Sequence, residues 1–304
     1  MNLEILHQLF LKSTGVSTDT RKIDPGNIFF ALKGPNFNAN EFAAKALDMG
    51  ASLVVIDEAK YFVEDDERYF ICEDVLSTLQ QLATFHRRKF DIPVIGLTGS
   101  NGKTTSKELL HAVLKQKFNT LATIGNLNNH IGVPLTLLRL KPEHEIAIIE
   151  MGANKQGDIK ELCDIAEPNY GFITNIGKAH LEGMGGPEGV LKTKTELYQH
   201  LRENGGTVFI NSQDSILSNM IKRFENPILY PAKGDFCEVE FLEANPFVKF
   251  SVEGVEGEHL TSLIGAYNFG NIANALTIGK FFGVPMEKAV EGIVSYRPEN
   301  MRSQ

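Results

Sequence analysis

Val94-Ile95-Gly96-Leu97-Thr98-Gly99-Ser100-Asn101-Gly102-Lys103-Thr104-Thr105 is the stretch whose reading decides the fold. Its first four residues are apolar and predict a buried strand, and a helix is expected from about Thr104 to Lys117. The glycine loop between them lets backbone N–H groups turn toward one centre, and the helix N-terminus adds a favourable partial charge for phosphate. Lys103 is placed to reach a β- or γ-phosphate, and the Thr104 hydroxyl to ligate Mg²⁺. A strict Walker A pattern would need a glycine at Leu97. The signal is therefore the strand–GxxGKTT–helix context, not the dipeptide.

Working outward, strands are expected at 145–149, 171–174 and 208–210, and helices at 158–166, 190–202 and after Asp214. Near-continuous apolar strands alternating with helices predict an α/β fold with a mainly parallel, doubly covered sheet. Residues 238–252 alternate and read as antiparallel strands on one edge; two closing helices are expected at 268–282 and 286–296. Upstream, strands at 28–32 and 53–56 and helices at 40–49 and 75–89 make a small mixed α/β N-terminal domain. The expected domains are 1–90 and 91–297, with 298–304 a linker stub begun by the helix-breaking Pro298.

At 304 residues, two domains of roughly 150 residues are the prior. A net charge of −8 with 42% hydrophobic residues describes a globular chain without the basic face of a duplex nucleic-acid binder. No apolar run approaches the roughly 18 residues of a membrane span. The start lacks a basic n-region and cleavage site, so no signal peptide is expected. Cys72, Cys163 and Cys237 have no CxxC spacing, which argues against a disulfide scaffold or cysteine zinc site and suits a reducing cytoplasm.

In an open α/β sheet, ligands bind beyond the carboxyl ends of the strands. Glu150 follows the strand at 145–149, and Asn175 and His180 follow the one at 171–174. A carboxylate suits Mg²⁺ and histidine is a less usual ligand. Either residue alone also reads as an ordinary loop residue. Lys194 sits three or four residues from Val190, Leu191, Leu197 and Tyr198, on the apolar stripe of its helix, whereas Lys192 faces away. Such a lysine is paired, neutral or modified, or its stem packs while its amine reaches water. Asn268 and Asn271, at i and i+3, share a face and suit either helix capping or an adenine edge.

Together, Gly99 to Thr105, Glu150-Met151-Gly152-Ala153, Asn175 to His180 and Tyr267 to Asn271 resemble the ATP-dependent Mur ligases. Residues 125–138 and 104–108 are most similar to the branch that adds D-alanyl-D-alanine to UDP-N-acetylmuramoyl-tripeptide. The resemblance runs from about Gly15 to Gln304. It implies a UDP-sugar-binding domain and an ATP-binding domain, with the family's C-terminal domain not matched. That suggests a truncated form, inactive by itself. It further implies that Gly99, Ser100, Asn101, Gly102, Lys103, Thr104 and Thr105 hold ATP, and that Asn268, Asn271 and Arg302 complete its site. Mg²⁺ would be held by Thr104, Glu150, His180 and Lys194, the last as a carbamate formed with CO₂. Lys103, Lys194, His180 and Glu150 are then the catalytic set. Asn126, Asn128, Asn129 and Asn175 would meet the muramoyl peptide. Ser17, Thr18, Asp19, Thr20 and Arg21 resemble the uridine segment, with Thr20 where serine is usual, and Lys33 to Asn40 resembles the following loop.

The implied chemistry is amide formation through an acyl phosphate by a monomeric cytoplasmic enzyme, with no nucleic acid and no membrane insertion. Another Mur-type ligase or a folylpolyglutamate synthase is the enzyme alternative, and a non-catalytic nucleotide- or UDP-sugar-binding fragment the other. No NKxD-type motif supports a GTPase.

Overall fold

Asp74 shows how local sequence starts an element: its carboxylate accepts from the Ser77 N–H at 2.6 Å and caps the helix that follows. In a computed structural model, which describes residues 3–177 and 181–298, two compact units form. One holds residues up to 91 together with 130–141; the other holds 92–129 together with residues from 142 on.

The first unit runs α1 (Leu3–Lys12), β1 (Gly15–Ser17), β2 (Asn27–Phe30), a ribbon of β3 (Lys33–Gly34) and β4 (Phe37–Asn38), α2 (Ala43–Asp48), β5 (Leu53–Ile56), β6 (Tyr69–Ile71) and α3 (Val75–Arg87). Its sheet is wholly parallel, in the order β1-β2-β5-β6. Every residue of β2 and β5 is buried, as expected of parallel strands covered on both faces. The helix expected at 40–49 starts as a 3-10 turn (Ala39–Phe42), because the Asn38 carboxamide takes the Asn40 N–H at 3.1 Å.

A buried histidine pair lies in this unit. The ring nitrogen Nε2 of His86 is 3.0 Å from the Leu140 carbonyl and therefore carries the proton. Its Nδ1 is then free to accept from His7 Nε2, also at 3.0 Å. Burial lowers both pKa values, with the other ring and Lys89 adding to the effect at His7. A lowered folded pKa means that the unfolded chain binds protons first as pH drops. The stabilisation is therefore complete above about pH 6.5 and lost as pH falls toward the folded values. The melting temperature should drop between about pH 7.5 and 5.5, and drop less in His86→Gln, which keeps a donor and an acceptor but cannot titrate. Equal drops in the two proteins would remove His86 as the cause.

The second unit opens with β7 (Val94–Thr98), α4 (Lys103–Leu114) and β8 (Thr120–Ala122). The chain then contributes α5 (Gly132–Leu137) to the first unit, where Gln80 Nε2 donates to the His130 carbonyl at 3.1 Å. It continues through β9 (Ile146–Glu150), α6 (Asp158–Ala166), β10 (Tyr170–Ile173), α7 (Leu181–Met184), α8 (Pro187–Glu203), β11 (Thr207–Asn211) and β12 (Ile228–Tyr230). Three longer strands follow, β13 (Val239–Ala244), β14 (Phe247–Val252) and β15 (Val255–Ile264), before α9 (Phe269–Phe281) and α10 (Met286–Ser295).

Six parallel strands make the main sheet, in the order β12-β11-β10-β7-β9-β8. On one face, Leu109 and Val113 of α4, Ile272 and Leu276 of α9 and Ile293 of α10 pack on Ile95, Leu97, Ile148 and Phe172. On the other, Leu197 of α8 lies against Gly96. From β7 the chain goes one way to β8 and β9 and then crosses to β10 on the opposite side. The rim beyond β7 is thus a switch point of the sheet, where ligands bind in this architecture.

Two sequence expectations need correction. Residues 238–252 do not extend the main sheet; with β15 they form a separate antiparallel sheet, ordered β13-β14-β15. Their alternation leaves one apolar face, and Val239, Val248, Phe250 and Leu263 bury it in the core shared with α9 and α10. The α-helix expected after Asp214 is instead a 3-10 stretch (Leu217–Arg223). There Asp214 Oδ1 takes the N–H groups of Ile216 and Leu217, at 2.9 and 2.8 Å, and so favours a tight turn. Among the described residues no helix is long and apolar enough to cross a membrane.

Candidate active site

Strand register brings the candidates onto one rim. Leu97 of β7 lies opposite Glu150 of β9, and Thr98 lies opposite Ile173 of β10. The residues just beyond, Gly99 to Gly102 and Thr174-Asn175, therefore face each other. The Ser100 N–H donates to the Asn175 carbonyl at 3.0 Å, and the Asn101 N–H to Asn175 Oδ1 at 3.1 Å. Asn101 O in turn accepts from Asn175 Nδ2 at 3.0 Å and from the Thr174 hydroxyl at 2.7 Å. Ser100 Oγ accepts from the Gly177 N–H at 2.8 Å. Asn175 thus holds the loop in place.

Gly102 has φ +75° and directly precedes α4, so the loop enters the helix through a left-handed residue. Lys103 folds back over the loop, its Nζ donating to the carbonyls of Gly99 at 2.9 Å and Ser100 at 3.2 Å. Burial lowers its pKa, and the negative charge of Glu150 opposes that shift. Thr104 Oγ1 lies 3.4 Å from Glu150 Oε1, which also accepts from Asn128 Nδ2 at 2.8 Å. Glu150 is 1% exposed, and its Oε2 is buried without a hydrogen-bond partner. Thr105 lies half-buried on α4.

Lys194 is buried on α8, as its place on the apolar stripe predicts, while Lys192 is exposed. Desolvation, followed by the charge of Lys103, brings its pKa down to about 8, against smaller pulls from Asp158 and Glu196. An amine with such a pKa is about 10% neutral at pH 7, against roughly 0.03% for an ordinary lysine. Among the described residues no three His, Cys, Asp or Glu side chains converge on one point. His180 and Arg302 lie outside the described residues.

Asn268 and Asn271 are both buried, and their amides form a relay. Ser106 Oγ donates to Asn271 Oδ1 at 2.8 Å, Asn271 Nδ2 to Asn268 Oδ1 at 3.0 Å, and Asn268 Nδ2 to the Ile264 carbonyl at 2.9 Å. This ties α4 to α9 directly beneath the loop. A Cβ on Gly102 would stand 3.0 Å from the Asn271 amide. Each amide keeps one N–H and one lone pair unspent by these bonds. Asn126 and Asn129 are exposed, whereas Asn128 is half-buried.

In the first unit, Ser17 to Arg21 form a self-tied turn. Ser17 Oγ donates to the carbonyls of Asp19 and Lys22, both at 3.0 Å. Asp19 accepts from Arg21 through its N–H and its guanidinium, and this hydrogen bonding carries the Asp19 pKa down to about 2. Thr18 and Thr20 lie half-buried beside them. In the following loop Asn40 is fully buried, donating to Asp57 Oδ1 at 2.9 Å, and Lys33 pairs with the same oxygen at 3.1 Å.

Sequence reasoning missed Ser106, Thr123 and Thr98. The Thr123 hydroxyl accepts from the Glu150 N–H at 3.0 Å, and the Thr98 hydroxyl donates to the Met151 carbonyl at 2.8 Å. The one available signal was position, since Thr98 and Thr123 both stand at strand ends.

A parallel sheet with a glycine loop and lysine at its switch point, and a buried carboxylate on the neighbouring strand end, defines an α/β protein of the P-loop class. The sequence matches the Mur ligase middle domain over residues 97–279, and the chain belongs to the Mur ligase family. It is 33% identical over 288 residues to the UDP-N-acetylmuramoyl-tripeptide–D-alanyl-D-alanine ligase of Bacillus subtilis, covering 95% of this chain and 63% of that protein. Against the ligase of the same name from Escherichia coli it is 36% identical over 291 residues, covering 93% and 63%. Its fold matches a crystal structure of MurF from Acinetobacter baumannii with TM-score 0.83 and 29% identity, covering 97% of this chain and 68% of that one. MurF ligase from Thermotoga maritima in complex with ADP matches with TM-score 0.79 and 29% identity, covering 95% and 67%. The chain thus spans under two thirds of the length of these curated relatives.

Proposed function

We propose that this chain carries the UDP-sugar- and ATP-binding parts of a ligase that joins D-alanyl-D-alanine to UDP-N-acetylmuramoyl-tripeptide. The observation that carries the reading is the orphaned carboxylate oxygen of Glu150 beside the Thr104 hydroxyl, at the mouth of a loop built for phosphate. The names of the relatives supply the substrates. In the reaction, the peptide carboxylate attacks the γ-phosphorus of ATP and ADP leaves. The D-alanyl-D-alanine amine then attacks the acyl carbon, phosphate leaves, and the amine proton passes to a base or to water.

Two anions must meet in the first step, so charge neutralisation and alignment are what the residues supply. Lys103 would balance phosphate charge, and the loop N–H groups would orient it. Thr104 and Glu150 are hard oxygen donors that would hold Mg²⁺, and the unpartnered Oε2 fits that use. When bound there, the ion would offset the charge of the triphosphate. His180 and a carbamate on Lys194 would complete the set by family resemblance. The low pKa of Lys194 supports its reaction with CO₂. Asn268 and Asn271 would meet adenine with their unspent groups and Arg302 would close the site. Ser17 to Arg21 would hold the uridine end, and Asn126, Asn128, Asn129 and Asn175 the peptide end. A monomer in the cytoplasm is the proposed setting.

Calorimetry tests this. The chain should bind ADP, and should bind UDP-N-acetylmuramoyl-tripeptide more tightly than the dipeptide form. Preference for the dipeptide would favour another Mur-type ligase, and failure to bind either nucleotide would overturn the reading.

A further inference from the structure

We propose that Asn128 is a positioning residue for Glu150, fixing which carboxylate oxygen is left for a divalent cation; this rests on the Mg²⁺ reading above. Both side-chain donors that reach the carboxylate, Asn128 Nδ2 at 2.8 Å and Thr104 Oγ1 at 3.4 Å, go to Oε1. Oε2 is buried and bare. A buried anion with one oxygen satisfied and the other empty is costly unless a cation completes it. Asn128 therefore decides the direction in which the empty oxygen is presented.

The amide cannot easily turn away. The Asn128 carbonyl accepts from the Gly152 N–H at 2.7 Å, and the Asn128 N–H donates to the Asn126 carbonyl at 2.7 Å. The side chain lies over the Gly152 Cα, where a Cβ would stand 2.9 Å from Asn128 Oδ1. Gly152 is thus the seat of the amide. The backbone of Glu150 is anchored separately by Thr123. The residue type also matters: a neutral amide holds the carboxylate without cancelling its charge, which a lysine or arginine would do. Asn128 is half-buried while its neighbours Asn126 and Asn129 are exposed.

The test is ADP affinity measured with and without Mg²⁺ for the wild type, Asn128→Ala, Gly152→Ala and Glu150→Gln. Asn128→Ala should lose about 10- to 100-fold of the Mg²⁺-dependent gain, the usual effect of removing a residue that orients a metal ligand. Its Mg²⁺-free ADP affinity should stay unchanged, which a general loss of structure would not allow. Gly152→Ala, whose Cβ pushes the amide off its seat, should show the same selective loss. If Glu150→Gln loses the gain but Asn128→Ala keeps it, the role of Asn128 is overturned and the metal reading stands. If Glu150→Gln keeps the gain, the metal reading fails and this inference with it. Loss of UDP-tripeptide affinity in Asn128→Ala with the Mg²⁺ gain intact would make it a substrate contact and overturn the proposal.

Discussion

Gly99→Ala is expected to weaken ADP binding by at least about 100-fold, or roughly 3 kcal/mol at 1.4 kcal/mol per factor of ten. Two costs combine. The residue has φ +150°, where an L side chain is strained, a cost of about 1–3 kcal/mol. The new Cβ would also fall on Thr174 Oγ1, with the Thr174 backbone nitrogen 3.1 Å away, so the chain itself must move. That hydroxyl holds the Asn101 carbonyl, and its displacement frees the loop from β10. Because Gly99 also offers its carbonyl to Lys103, one methyl group disturbs the loop backbone and the lysine together. Thr174→Ala removes the clashing oxygen at the cost of one hydrogen bond, about 1 kcal/mol. The double variant should therefore bind ADP better than Gly99→Ala alone, a coupling that only contact between the two sites produces. Wild-type affinity in Gly99→Ala would show that this backbone does not cradle phosphate.

Why the loop was legible and its supports were not follows from what each leaves in the sequence. An apolar strand, a glycine turn and GKTT are contiguous, and contiguous signals survive without the fold. Lys194 was legible because helical periodicity alone puts it among Val190, Leu197 and Tyr198, all of which are buried. Ser106 and Asn271 are 165 residues apart and meet only through the packing of α4 on α9. Spacing cannot encode such a meeting. The same holds for Asn128 and Glu150, which sequence reasoning separated into a substrate contact and a metal ligand although their side chains touch.

Parts of the fold were hidden for local reasons. In α1 the apolar Ile5, Leu9 and Leu11 are exposed while His7 is buried, which blurs the amphipathic pattern. β8 and β12 have three residues each, too few to show a period. Residues 130–141 sit between two strands of the second unit in the sequence yet pack in the first. Their partners, Gln80 and His86, lie far upstream, so no linear boundary finds them.

Lys103→Met tests the chemistry most sharply. Assayed in a form that turns over, it should reduce phosphate release by about 10³-fold or more, near 4 kcal/mol of transition-state stabilisation. Methionine nearly matches the length of the lysine stem but brings no charge to the phosphates. UDP-tripeptide binding should stay near normal, since the proposed uridine-binding turn, Ser17 to Arg21, belongs to the first unit. The effect on folding should be small. Burial holds the Lys103 pKa below its ordinary value, so keeping this ammonium charged costs the folded state at neutral pH, and methionine lifts that cost. Against it stand two lost hydrogen bonds to loop carbonyls, about 1 kcal/mol each. The two effects oppose each other, so the melting temperature should move little while turnover disappears. A variant that melts much earlier and loses turnover in proportion would make Lys103 a structural clasp of the loop. One that keeps its turnover would remove it from the reaction.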